Sequence, residues 1–164
     1  MNFASSRSAL TEKAVPLLIL GGVLLLAGCS APPPGRLAPP GGPLQPCPST
    51  PNCVSTEASD ARHAMPPLRY TGTPQQAQAR ARAALLADPR TRIVTERPGY
   101  LHAEARSRVF RFVDDVEVMV DSAAGLVRFR SASRVGRGDL GVNRARMRRF
   151  IACFQTADSA AIRR

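Results

Sequence analysis

The spacing of apolar and polar residues predicts an α+β fold from about residue 73 onward. Thr73-Pro74-Gln75-Gln76 is typical of a helix start, with Thr73 as N-cap and Pro74 at the first helical position. This helix should end at Asp88-Pro89, because proline disfavours helical geometry in the residue before it. A second helix is expected over about 143–156, where apolar residues recur at helical spacing. The predicted buried stripes are Ala77, Ala81, Ala84 and Leu85 in the first helix, and Met147, Phe150, Ile151 and Phe154 in the second.

Alternation with a period of two predicts short strands between these helices. Pro98-Gly99 and residues 122–125 are turns of hairpin length, and such short connections favour antiparallel pairing. We therefore expect one antiparallel sheet of four to five strands, with the N-terminal and C-terminal helices packed on one face. The predicted strands are Thr91 to Glu96, Tyr100 to Ser107, Val109 to Val113, Asp115 to Asp121 and Leu126 to Ser131.

The same alternation predicts a polar face on the side of the sheet opposite the helices. One interpretation is cross-strand ion pairing on a solvent-exposed sheet, and the other is a polar groove that binds a ligand. A His/Glu/Asp set could also suit acid–base chemistry or a metal, but with two histidines in the chain we predict neither a metal nor a cofactor. The candidate face comprises His102, Glu104, Asp115 and Glu117, with Arg106, Asp121, Arg128 and Arg130 beside them.

The first residues are typical of a bacterial lipoprotein signal peptide. The apolar run over 15–27 is too short to span a bilayer core of about 30 Å. It ends in Leu26-Ala27-Gly28-Cys29, which resembles the lipobox, where the thiol after the small residues is acylated. We predict cleavage after residue 28 and a palmitate-type lipid anchor on Cys29; an ordinary secretory signal or a retained membrane helix are the alternatives. By resemblance to lipoprotein sorting, Ser30 favours the outer membrane, with the protein facing the periplasm.

Composition then divides the rest of the chain. Residues 30–46 contain seven prolines and three glycines, which predicts a semi-rigid spacer rather than a packed element. We therefore assign 1–28 to the signal peptide, 29–46 to the lipidated cysteine and a tether, 47–158 to a single domain and 159–164 to a tail.

Charge narrows the class of partner. The formal net charge is +11, and residues 128–164 hold ten arginines against two acidic residues. Nucleic acid is a poor match for an envelope protein with no tryptophan and 5% aromatic residues. We expect the membrane as one partner, through the lipid anchor, and an anionic ligand or an envelope protein as another. A solvated basic helix face is the simpler alternative.

The other cysteines have separate roles. Cys47 and Cys53 lie six residues apart in a compartment that favours oxidation, so we predict a disulfide between them. Helical spacing places Cys153 at the margin of an apolar stripe, where we expect a half-buried free thiol. Its role is not evident from the sequence.

Three segments resemble a known family. CPSTPNCVST at 47–56, FRFVDDVEV at 110–118 and RSASRVGRGDLGVNRAR at 130–146 are similar to the domain-of-unknown-function family numbered 1499, in its bacterial lipoprotein form. The resemblance covers roughly 47–154 and implies a fold and domain limits but no reaction. Gly138 stands where the family pattern leads us to expect serine, which removes one hydroxyl.

The last of these segments combines a strand end, a glycine-rich turn and a helix start. Such a turn can bind an anion through backbone amides, whereas an Asp–Arg pair there can simply fix the helix. We expect Asn143 to cap the helix and Asp139 to pair with Arg134 or Arg144. The candidate residues of this motif are Arg130, Ser131, Ser133, Arg134, Asp139, Asn143 and Arg144.

The sequence indicates the function of the protein only in outline. We expect an envelope lipoprotein whose small domain binds an anionic ligand or a protein partner without catalysis. The alternative is a hydrolase-type enzyme that uses the His/Glu/Asp face, and a purely structural spacer between membrane and wall is a third interpretation. Catalytic residues cannot be named from this sequence.

Overall fold

The computed structural model describes residues 37–39, 42–108 and 110–162, with the backbone alone for 158–162. The predicted signal peptide and Cys29 lie outside this part of the chain. Within it, no helix has the length and apolar character needed to cross a membrane. The elements are β1 (Cys53–Ser55), β2 (Leu68–Arg69), α1 (Pro74–Leu86), β3 (Thr91–Arg97), β4 (Tyr100–Arg106), β5 (Val113–Asp121), β6 (Leu126–Ser133) and α2 (Val142–Ile162).

The strands form one antiparallel sheet, which confirms the predicted fold class. The order is β1-β6-β5-β4-β3, and β2 also pairs with β6. The sheet has six strands rather than four to five, because β1 and β2 are too short, at three and two residues, to show an alternation in the sequence. Both short strands pair with β6, which leaves β3 at the opposite edge.

One predicted strand is wrong. Residues 110–112 of the expected strand Val109 to Val113 form a loop before β5, and Val109 is outside the described residues. The reason is the backbone of Arg111, whose φ of 55° lies in the left-handed region and interrupts an extended strand. The alternating Phe110 and Phe112 are 70% and 40% exposed, so their pattern does not reflect burial on a sheet.

The helices pack on one face of the sheet as predicted. In α1, the Thr73 side chain accepts from the Gln76 backbone, and the Gln76 side chain accepts from the Thr73 backbone, which completes a capping box. The predicted stripe of α1 is buried against the sheet, and α2 contributes Met147, Phe150 and Phe154. Helix α2 extends to Ile162, beyond the expected end near residue 156.

The described part of the proline-rich segment, residues 37–39 and 42–46, contacts the other face of the sheet. Ala38 and Leu44, each 3% exposed, form a small apolar cluster with Tyr100. The Ala38 backbone N–H donates to Glu117 Oε1 at 2.7 Å. These residues belong to the predicted tether, yet they contact the sheet; two leucines and two alanines scattered among prolines are too few to signal this burial in the sequence. The assignment of chain segments to leader, tether and domain stays a prediction.

The cysteines follow the expected pairing. Cys47 and Cys53 form a disulfide, which confirms that prediction. Cys153 is a free thiol, but it is exposed on α2 rather than half-buried. Phe150 and Phe154, which precede and follow Cys153 in the sequence, face the core instead.

Candidate functional site

Four predicted polar residues of the sheet meet on one face and are buried there. The strand register places His102 opposite Glu117 and Glu104 opposite Asp115. Their exposed fractions are between 0% and 7%, so the expectation of a solvent-exposed sheet is wrong for this part of the face. The cause is mutual pairing of the charges, together with the segment around Ala38 that lies against them.

Arg134 is the centre of the first group on this face. Its guanidinium donates to both oxygens of Asp115 at 2.7 and 2.8 Å and to Glu104 Oε1 at 2.7 Å. His102 Nε2 lies 2.7 Å from Asp115 Oδ1. Burial alone would raise the pKa of Asp115, but the hydrogen bonds from Arg134 and His102 outweigh it and lower this pKa. Asp115 is therefore a buried carboxylate that its hydrogen bonds keep ionised at neutral pH.

Glu104 is shared by several guanidinium groups. Besides Arg134, it pairs with Arg92 at 2.9 Å and with Arg106 at 3.6 Å. Its burial raises the pKa of the carboxyl, and the hydrogen bonds from Arg92 and Arg134 bring this pKa below its ordinary value. One carboxylate thus pairs with three arginines, so positive charge is in excess around Glu104 at this end of the sheet.

The second group on the same face surrounds Glu117. Tyr100 donates to Glu117 Oε1 at 2.8 Å, and Arg130 Nη1 lies 3.6 Å from Oε2. Burial and the adjacent Glu117 raise the pKa of Tyr100 well above its ordinary value. Burial lowers the pKa of Arg130, an effect that Glu117 partly offsets. The phenol therefore stays a hydrogen-bond donor at neutral pH.

Access limits what this polar face can do chemically. The His102–Asp115 pair has the geometry of a base and its orienting carboxylate, but the imidazole is 2% exposed. Ser131, a conceivable nucleophile, belongs to β6 and bonds Asn143 in α2, on the helix side of the sheet. Among the described residues, no group of three or more His, Cys, Asp or Glu could hold a metal ion.

A second buried polar network lies between the sheet and α2. Arg146 donates to Asp114 Oδ2 at 2.6 Å and to Asn143 Oδ1 at 2.7 Å, and Ser131 also donates to Asn143 Oδ1. The Asn143 amide donates to Ser133 Oγ and to Asn52 O. This network fixes α2 on the sheet, and the predicted motif is thus divided between the two faces, with Arg130 and Arg134 on the polar one.

The turn before α2 is ordered by Asp139 rather than by the expected ion pair. Asp139 accepts from the backbone N–H groups of Gly141 and Asn143, both at 2.9 Å, and from the Asn143 side chain. Asn143 is inside the helix and not its N-cap. Arg144 donates instead to the carbonyls of Arg62 and Ala64. These partners are main-chain groups distant in sequence, which no local motif indicates.

A strongly basic cavity lies where β3 begins and β4 ends. It measures about 320 Å³, and five arginines are among its lining residues. Arg108 and Arg111 are exposed and make no ion pair within the described part of the chain. The arginines of this pocket, called the arginine pocket below, are Arg90, Arg92, Arg106, Arg108 and Arg111.

Sequence reasoning missed this pocket because its residues come from several predicted strands and from the connections between them. Arg90 and Arg92 flank the start of β3, and the other three lie at the end of β4 and in the loop 107–112, where residues 110–112 have the alternation of a strand. The available signal was the FRF triplet at 110–112, with a cation between two aromatic residues. The Phe110 and Phe112 rings stack with their centroids 5.5 Å apart.

Comparison with protein-family models identifies a family for the chain. A family model described as protein of unknown function (DUF1499) matches residues 43–154, which is more than half of the chain. The match includes the whole sheet, the arginine pocket and most of α2. No curated protein is similar enough to the chain to count as a relative.

Proposed function

We propose that this chain, which belongs to the DUF1499 family of proteins of unknown function, is a lipid-anchored envelope protein that binds an anionic ligand in its arginine pocket. The observation that carries the proposal is the concentration of five arginines around one cavity of about 320 Å³. Guanidinium groups bind phosphate and carboxylate in bidentate geometry, and several of them around one cavity favour a ligand with more than one anionic oxygen.

The charge balance of the pocket supports an anion rather than a neutral ligand. The acidic partners of its arginines are Asp88, which pairs with Arg90 at 3.3 Å, and Glu104. Five cations therefore face two carboxylates, and Glu104 is also bound by Arg134. A bound anion would reduce the repulsion among the remaining guanidinium groups.

Other cavities and clusters are less suited to an anion. A larger cavity of about 590 Å³ near the hairpin turns contains Arg128, but this residue pairs with Asp121 at 2.6 Å and with Glu57 at 3.5 Å. The buried cluster around Arg134 already places two carboxylates, Asp115 and Glu104, against this cation. The hydrolase alternative is disfavoured because His102, the base it needs, is almost fully buried.

The envelope location rests on the sequence. The apolar run over 15–27 and the lipobox at 26–29 support export and acylation of Cys29, and Ser30 favours the outer membrane. A protein held at a membrane surface encounters anionic phosphate groups at high local concentration, so a modest affinity is enough to keep an anion site occupied.

Thermal unfolding of the intact chain in detergent, titrated with inorganic phosphate and pyrophosphate, tests anion binding. At a ligand concentration ten times the Kd, binding stabilises by about 1.4 kcal/mol, which raises the Tm by roughly 5 °C. The double variant Arg108→Gln/Arg111→Gln should abolish most of this shift. Arg148→Gln/Arg149→Gln, which removes two exposed cations on α2 outside the pocket, is the matched control and should retain the shift. Equal shifts in both variants would contradict the proposal.

A further inference from the structure

The loop 107–112 presents aromatic and cationic side chains together to solvent. Phe110 is 70% exposed and Phe112 is 40% exposed, although large apolar side chains favour burial. They flank Arg111, and Arg108 precedes them. Both arginines line the arginine pocket, so the apolar tip and the cationic cavity are parts of one surface.

Stacking of the two rings gives this tip a defined shape. Their centroids are 5.5 Å apart with an interplanar angle of 24°. The loop is held at its base, where the Phe112 backbone N–H donates to Ser107 Oγ at 2.9 Å and the Ser107 N–H donates to the Phe112 carbonyl. The positive φ of Arg111, at 55°, is a backbone conformation that a non-glycine residue adopts only when its surroundings determine it. The two hydrogen bonds between Ser107 and Phe112 thus fix the base of the segment that carries the rings.

We propose that this surface docks on an anionic phospholipid bilayer, with the Phe110 and Phe112 rings inserted at the interface and the arginine pocket on lipid phosphates. The inference rests on the proposed function, because it identifies the anion as a lipid headgroup. Charge complementarity favours this occupant, since the pocket has five arginines for two carboxylates and phosphate groups cover the membrane surface. The paired rings supply an apolar contact, which insertion into a bilayer requires and binding of a soluble phosphate does not.

Docking would add a second contact to the predicted lipid anchor. An anchor at Cys29 fixes one end of the chain at the membrane, and docking of the loop would fix the orientation of the folded domain as well. The anchor also raises the effective concentration of the bilayer near the loop, so a weak contact is occupied most of the time.

Tryptophan fluorescence measures this insertion directly. The chain contains no tryptophan, so Phe110→Trp introduces a single fluorophore at the tip of the loop. The full chain would be reconstituted in phosphatidylcholine vesicles with or without phosphatidylglycerol, and co-sedimentation would verify that it is on the vesicles. We expect blue-shifted emission and quenching by brominated acyl chains in the anionic vesicles, with at least a several-fold weaker effect in phosphatidylcholine alone.

Two matched variants separate insertion from general proximity to the bilayer. Leu140→Trp places the fluorophore at a fully exposed residue of a different loop, and it should keep the emission of a solvated indole. Arg108→Gln/Arg111→Gln in the Phe110→Trp background should lose most of the quenching. Phe110→Trp with both arginines intact should also lose most of it at high salt, because salt screens their charges.

The outcomes distinguish the two proposals. If phosphate and pyrophosphate stabilise the protein while Phe110→Trp stays unquenched in anionic vesicles, the lipid inference is overturned and anion binding stands. If neither the soluble anions nor the vesicles have an effect, both proposals fail. Quenching of Leu140→Trp equal to that of Phe110→Trp, or equal quenching in both kinds of vesicle, would also overturn docking through this surface.

Discussion

Replacing Asp115 by asparagine should destabilise the protein strongly, because this carboxylate is the common hydrogen-bond partner of Arg134 and His102 on the polar face. It accepts two hydrogen bonds from Arg134 and one from His102, all between 2.7 and 2.8 Å, and it is 2% exposed. Breaking a buried ion pair by removing one partner costs about 3 to 5 kcal/mol, since the other charge remains buried. With a urea m-value of about 1.5 kcal/mol/M, the unfolding midpoint should fall by roughly 2 to 3 M.

Asp88→Asn is the matched control for this substitution. Asp88 pairs with Arg90 at 3.3 Å, and the arginine side chain is 42% exposed. The same chemical change at an exposed pair should cost about 0 to 1 kcal/mol. If the urea midpoints of Asp115→Asn and Asp88→Asn are equal, the polar face does not stabilise the fold in the way its hydrogen bonds indicate.

The pH dependence gives a second check on Asp115. The pKa values of Asp115 and Glu104 are both lowered in the folded protein, so their contribution to stability is complete above the pKa of the unfolded carboxyl, about 4. It is lost as the pH falls through the folded pKa. The wild type should therefore lose more stability between pH 7 and pH 3 than Asp115→Asn, and a constant difference between them would contradict this reasoning.

Three further outcomes can be checked separately. Asp139→Ala should cost about 1 to 2 kcal/mol in urea unfolding, because it removes acceptors for the first amides of α2, whereas Asp139→Asn should recover part of this loss. Thiol counting on the Cys29→Ala variant should find one free thiol, and Cys153 should react in the folded state because it is exposed; three thiols in this variant under oxidising conditions would contradict the disulfide. Cys29→Ala should abolish labelling by a palmitate analogue and leave unprocessed precursor, while unchanged labelling would disprove the predicted anchor.

Local signals determined how much of the fold could be predicted. Helix α1 was predictable because its capping box and Pro74 act within four residues of one another. Strands β4, β5 and β6 showed their alternation because one face packs on the helices and the other carries charge. Strand β2, with two residues, has no period to detect, and it depends on pairing with β6 far along the chain.

The candidate site was harder to predict for a related reason. Alternation correctly grouped His102, Glu104, Asp115 and Glu117 on one face, but it contains no information on what covers that face. The contact from Ala38 comes from 79 residues away in sequence and uses a backbone N–H, which leaves no side-chain signature. The arginine pocket combines the ends of two strands with a loop whose apolar pattern imitates a strand.

Adjacent acidic residues in β5 have a consequence for folding cooperativity. Asp114 bonds Arg146 of α2 on one side of the sheet, and Asp115 bonds Arg134 on the other. Opening of α2 alone would leave Asp114 without its cation, and detachment of the β6 end would do the same to Asp115. Partial opening on either side is therefore costly, and the backbone amides of β5 should exchange with deuterium only through global unfolding, at the slowest rate in the sheet.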